Sequence, residues 1–216
     1  MKLPHKTIER ELFKKGYKHI VAVDEVGMGC LAGPVVVCAV LFTKKFYTRR
    51  HQNLHGLRDS KLLSSKKREE FARELSKSTW KPGFQVKICY SYPKTVDRLN
   101  IYQAARRAMR RAVLRCAKAP IAHSVVLVDG PSKIKGLNME QVSIVKGDRK
   151  VFAIACASIL AKVYRDRMMF RYAKKYPGYG FEKNKGYGTR YHRVQLASLG
   201  LTPIHRRSFE PVAKLL

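Results

Sequence analysis

Acidic side chains are the scarce component of this chain. Fifteen Asp and Glu stand against forty-five Lys and Arg, a formal net charge of +30 over 216 residues. Such a surface repels cationic partners and attracts nucleic acid or an anionic membrane. Long apolar runs are missing as well. The longest, Leu31 to Phe42, is interrupted by Pro34 and falls short of the roughly 20 residues that a spanning helix needs. Membrane is therefore the weaker partner and nucleic acid the expected one. No charged-then-apolar leader opens the chain, so no secretory signal is visible and a cytoplasmic location is expected. Cysteine is sparse and unpatterned. Cys30, Cys38, Cys89, Cys116 and Cys156 are odd in number and contain no C-x-x-C pair, which argues against a disulfide framework and a zinc site. The seven histidines are scattered without metal-ligand spacing. Internal repeats, low-complexity runs and linkers are absent.

What is present is a chain able to fold. Hydrophobic residues make up 45% and aromatics 10%, enough for one core of ordinary size. Ile20–Val26 and Pro34–Phe42 read as two strands joined by a Gly-rich link, hence a hairpin. Helical spacing begins at Thr7, with Gly16 as a stop. It recurs after a Ser64 or Ser65 cap and over Leu99–Ala117, Val151–Lys175 and Thr189–Leu199. Arg106, Arg107, Arg110, Arg111 and Arg115 are expected to form one basic face. Lys44–Leu57 reads as irregular, Trp80–Tyr92 as a strand, Pro93 as the start of a turn, and Pro120 as a break. Ser124–Val128 and Val142–Val145 read as short strands. Strands grouped first and alternating with helices later predict an α/β fold with a mixed sheet. The expected organisation is a basic segment over 1–19, a catalytic domain over 20–175 and a C-terminal extension over 176–216 packed on it.

Most of the few acids, such as Glu69, Glu70, Glu74 and Asp166, sit among basic neighbours on predicted helices, where local ion pairing explains them. Three places differ. Asp24-Glu25, Asp129 and Asp148 each follow an apolar run and lie close to glycine. In α/β sheets, ligands bind at such strand ends. Carboxylates gathered there repel one another, and a divalent cation relieves the repulsion. Mg²⁺ and Mn²⁺ favour oxygen ligands, and a pair of such ions can stabilise both oxygens of a phosphodiester displacement. A basic surface with clustered acids is thus a nuclease-like combination. Turn and cap roles for the same acids stand beside it.

The motifs follow a definite order: D-E-V-G-x-G-x-L-A-G-P, D-S-K, L-N-I-x-Q-A, V-D-G, K-G-D, A-S-I-L-A-K-V-x-R-D-R, Y-P-G-Y-G-F, K-G-Y-G-T and T-P-I-H-R-R-S-F. From about Val21 to Val212 the chain resembles bacterial ribonuclease HII. The resemblance implies a ribonuclease H-like fold with a helical C-terminal extension. It implies hydrolysis of RNA in RNA–DNA hybrids and incision 5′ to single ribonucleotides in duplex DNA, leaving 3′-hydroxyl and 5′-phosphate ends. It assigns Asp24, Glu25, Asp129 and Asp148 as catalytic, metal-binding acids for two Mg²⁺ or Mn²⁺ ions, and leaves Asp166 as a helix ion-pair residue. Gly27-Met28-Gly29 is the implied sensor of the ribose 2′-hydroxyl. Methionine stands there in place of the family's usual arginine, which removes a charge-assisted bond to phosphate. Tyr187 is implied to pack on the sugar of the following deoxynucleotide. Lys61, Ser158 and Lys162 are implied backbone contacts, the last two sharing a helix face. The protein is expected to act as a monomer. Two other readings are carried: a ribonuclease HIII-like activity, disfavoured because only about 20 residues precede the first strand, and a non-catalytic hybrid-binding protein, prompted by Met28.

Overall fold

The computed structural model describes residues 3–47, 54, 56–57, 60–79, 82–117 and 123–216. Expectations at Trp80 and Pro120, and at Asp59 of the D-S-K motif, lie outside the described residues.

Two β-branched apolar runs make the centre. β1 (His19–Val26) and β2 (Val35–Thr43) pair antiparallel, with Asp24 opposite Cys38 and Glu25 opposite Val37. β3 (Phe84–Ser91) adds antiparallel to β2, while β4 (Ser124–Asp129) and β5 (Glu140–Ile144) add in parallel on the other side. The order is β3-β2-β1-β4-β5, a mixed sheet as the pattern predicts.

Both sheet faces are covered, so β1, β2 and β4 are apolar almost throughout rather than alternating. Helix α7 (Phe152–Lys175) packs on one face against Ile20, Ala22, Cys38 and Val40. Helix α5 (Ile101–Ala117) packs on the other against Val21, Val23, Val37 and Ala39. α1 (Thr7–Lys14) and α3 (Ser65–Ser78) flank the α7 side. Ser64 caps α3, its hydroxyl accepting from the Lys67 N–H at 3.2 Å. All five cysteines are buried and unpaired.

Four expectations need correction. Lys44–Tyr47 forms a short helix, α2, because Phe46 and Tyr47 have the aromatic cluster of Phe42 and Phe84 to pack into. Pro93 begins a helix, α4 (Pro93–Leu99), rather than a turn; proline at the first helical position loses no hydrogen bond. The helix expected from Leu99 starts instead at Ile101, because Asn100 adopts φ 63° and separates α4 from α5. The arginines of α5 also divide. Arg106 turns toward the β4–β5 side, donating to the Ser132 carbonyl at 2.6 Å, while Arg111 turns toward β3, donating to the Tyr90 carbonyl at 2.5 Å.

Beyond α7, α8 (Phe181–Asn184) and α9 (Arg190–Leu199) lead into a loop that returns to the sheet. Thr189 caps α9 as expected. Leu31, Ala32 and Met169 share a small core with Tyr179, Phe181, Leu196, Ile204 and Val212. The segment after β1 and the C-terminal segment are therefore packed together.

Candidate active site

The acids arrive at one sheet edge because β1 and β4 run parallel and end together. Asp24 and Glu25 are the sixth and seventh residues of β1, so their side chains leave on opposite faces. Asp129 is the last residue of β4. Asp148 lies in the first turn of α6 (Gly147–Lys150), immediately after β5. Gly147 brings the last two acids together: its N–H donates to Asp129 Oδ1 at 2.7 Å, and a Cβ there would stand 2.6 Å from Ile154 Cδ1.

A cleft of about 710 Å³ opens over this edge. Asp24, Glu25, Asp129 and Asp148 line it with the Gly27-Met28-Gly29 turn. Lys61, Ser158, Lys162 and Tyr187 complete the set of candidates that the structure brings together. Asp166 does not line the cleft; it pairs with Lys162 at 2.8 Å, one turn back on α7, with both side chains mostly buried. The cleft also takes in Ser60 and Arg68, which sequence reasoning missed. Ser60 bonds Ser158 at 3.1 Å. Arg68 donates to the carbonyls of Ser60 and Leu63 and so fixes the turn that carries Lys61.

The electrostatics follow from crowding. Burial raises the Asp24 carboxyl well above its ordinary range, and the neighbouring Glu25, Asp129 and Asp148 add to it, against a smaller opposing effect of Ser158. Burial, then Asp129, pushes Glu25 up to about 7, opposed by Arg106 and Lys61. Glu25 Oε2 is buried without a hydrogen-bond partner among the described residues. An uncompensated oxygen amid mutually repelling carboxylates is the setting in which a hard divalent cation lowers the free energy. As the side chains stand, no three His, Cys, Asp or Glu among the described residues converge on one ion. Mg²⁺ keeps waters and substrate phosphates in its shell and takes one or two carboxylates per ion. The residues fit such an ion.

The segment from Gly27 to Pro34 is held from below by two buried arginines. Arg206 donates to the carbonyls of Gly27 at 2.6 Å, Met28 at 2.8 Å and Gly33 at 3.1 Å. Arg165 donates to Pro34 at 3.0 Å, Ala32 at 3.1 Å and Lys185 at 2.8 Å. Both are 0% exposed. Burial draws Arg206 down to about 10, so it stays charged at neutral pH. The expected basic, loop-like tail thus contains a buried strut, and only its place in the H-R-R-S-F motif hinted at that. Met28 lines the cleft and is half-buried, packed against the cluster of Val35, Val96, Ala104 and Ala105. Tyr187 is fixed by a backbone bridge to Cys30, with its ring 38% exposed in the cleft.

A helix-flanked mixed sheet with acids at its edge has close counterparts. The family model described as Ribonuclease HII matches residues 21–212. The ribonuclease HII of Ligilactobacillus salivarius is 44% identical over 209 residues, covering 97% of this chain and 76% of that protein. That of Acholeplasma laidlawii is 43% identical over 216 residues, covering 100% and 99%. Among solved structures, the ribonuclease HII from a PCNA complex of Archaeoglobus fulgidus superposes with a TM-score of 0.70 at 26% identity, covering 88% and 95%. By sequence and by fold, the chain belongs to the ribonuclease HII family of endonucleases.

Proposed function

We propose that the protein incises duplex DNA 5′ to single embedded ribonucleotides as well as cutting RNA in RNA–DNA hybrids, by two-metal-ion hydrolysis at the acid cleft. The observation that carries the reading is that four carboxylates and the Gly27–Gly29 turn line one cleft of a strongly basic chain. A ribonuclease HIII structure that superposes with a TM-score of 0.66 at 16% identity is in complex with Mn²⁺. Here Asp24, Glu25, Asp129 and Asp148 would hold the ions. When bound, such ions stabilise the attacking and leaving oxygens of the displacement.

The chain's own residues do the selecting and placing. Lys61 offers positive charge to the scissile phosphate. The backbone of the Gly27–Gly29 turn, its carbonyls held by Arg206, can approach the ribose closely because no side chain intervenes at either glycine. Glu25, with one oxygen unpartnered, accepts a hydrogen bond from the 2′-hydroxyl or a water beside it. Tyr187 packs against the next sugar. Ser158 and Lys162 hold the backbone from α7. Water attacks phosphorus, the bond to the 3′-oxygen breaks, and that oxygen takes a proton. Specificity rests on the 2′-hydroxyl and duplex shape rather than base sequence.

The test is incubation with Mg²⁺ or Mn²⁺ and a duplex containing one ribonucleotide, with an all-RNA-strand hybrid alongside. A single cut 5′ to the ribonucleotide is expected. Cutting of the hybrid alone would overturn the single-ribonucleotide reading, and no cut by folded protein on either substrate would overturn the whole.

A further inference from the structure

A second concave surface lies on the same edge of the sheet, outside the cleft. It is a groove of about 520 Å³ between β3, α4 and α5, with Tyr164 of α7 closing one side. Among the described residues four cations line it, Arg98, Arg107, Arg111 and Arg115, and no carboxylate or lysine does. Lysine outnumbers arginine in the chain, so an all-arginine lining is not what scattered surface charge would produce. Arg107, Arg111 and Arg115 are four residues apart on α5 and form one row, about 12 Å long at 1.5 Å per residue. Guanidinium groups suit phosphate because they form paired hydrogen bonds to its oxygens.

The aromatics point the same way. Tyr90 stacks on Tyr164 at 6.4 Å and meets Tyr92 edge-on at 5.1 Å. Tyr92 is 49% exposed, presenting a flat ring beside the cations. A basic track with an aromatic platform is a nucleic-acid surface. A peptide strand added to β3 is the rival occupant, since β3 is an edge strand. Arg111 blocks it by occupying the Tyr90 carbonyl, one of the edge acceptors such a strand would need.

Position ties the groove to the cleft. Met28 packs on Val96, Ala104 and Ala105, on the same two helices whose outer side carries Thr95, Arg98 and Arg107. The two surfaces are thus about one helix width, roughly 10 Å, apart. We propose that this groove is a second nucleic-acid contact, which grips the sugar–phosphate backbone of the substrate duplex several nucleotides from the reacting ribose. The proposal rests on the duplex-cutting reading above, and binding separates it from that reading.

The experiment is equilibrium binding in EDTA, so that cleavage plays no part. Two DNA duplexes with one embedded ribonucleotide are compared, one reaching about 3 base pairs beyond the ribonucleotide on each side and one reaching about 12, the spacing being about 3.4 Å per step. The variant is Arg98→Gln/Arg107→Gln. The control is Lys14→Gln/Lys15→Gln, exposed at the end of α1 before the far end of β1. Expected for the groove variant is weaker binding of the long duplex and a salt slope smaller by about 2, one per lost phosphate contact. The short duplex should lose less. Equal losses in variant and control would overturn the proposal, since bulk charge would then suffice. So would unchanged duplex affinity with loss of binding to an acidic peptide. If the long-duplex effect appears but no ribonucleotide is cut with metal restored, the groove stands and the catalytic reading falls.

Discussion

Two glycines flank Met28, and alanine should affect them in opposite ways. Gly27 has φ 95°, and a Cβ there would lie 2.3 Å from Arg165 Nε. Gly29 has no positive φ and open space where its Cβ would go. For Gly27→Ala the left-handed backbone costs about 1–2 kcal/mol. Arg165 must also move, and it holds three carbonyls at 2.8–3.1 Å. Losing one bond to a charged donor costs about 1.5–3 kcal/mol, so the total is about 3–5 kcal/mol. For a chain of this size that is a fall in Tm of about 6–20 °C. Gly29→Ala should keep its stability within about 1 kcal/mol, or gain slightly by restricting the unfolded chain. Its methyl would project into the cleft, so it should lose cleavage of the single-ribonucleotide duplex while remaining folded. Thermal unfolding and cleavage of both variants decide the matter. A stable Gly27→Ala, or a Gly29→Ala destabilised as much as Gly27→Ala, would refute the account of Arg165 as a rigid support.

Asp129→Asn should reduce cleavage by at least about a hundredfold, on the scale of losing a principal electrostatic contributor, while duplex binding in EDTA persists; equal activity would mean that the acids are misassigned. Glu25 carries a raised carboxyl, about 7 against an ordinary 4.5. Below about pH 4.5 both folded and unfolded states hold the proton, and between there and 7 the unfolded state ionises first, so metal-free stability falls with rising pH by on the order of 3 kcal/mol. Mn²⁺ should therefore raise the Tm more at pH 8 than at pH 5.5, and Glu25→Gln should flatten the metal-free profile; a metal effect independent of pH would count against the site. Met28→Arg must lift its side chain off Val35 and Val96, costing about 1 kcal/mol of buried apolar surface, and should tighten single-ribonucleotide binding through a new phosphate contact; unchanged affinity would show that the methionine is no deficit.

Much of the site is legible in the sequence because acids in this chain are rare and strand-end acids beside glycine rarer. The hairpin, the long α7 and the Ser64 and Thr189 caps are likewise local patterns, with their causes within a few residues. What stayed hidden depends on distant partners. Arg165 and Arg206 look like any of the many cations, and only tertiary packing decides that their guanidiniums meet buried carbonyls rather than water. The division of the α5 arginines between two sides has the same origin. The break at Asn100, inside the helix expected from Leu99, escapes the sequence because a left-handed residue between two helices leaves no periodic trace, and the helix at Pro93 escapes it because proline favours turns and helix starts alike.

The bonds from Arg206 to the glycine turn join residues 178 and 179 positions apart. That separation orders events in time. The β1–β2 hairpin can form as soon as its own residues leave the ribosome, and so can the strand that carries Asp24 and Glu25. The hydrogen bonds that hold the turn beside them form only once residue 206 has been made and has docked, a contact with a high closure entropy. A nascent chain therefore carries its first two acids for most of its synthesis without a finished recognition surface. That surface is complete only when the returning segment has docked against the turn.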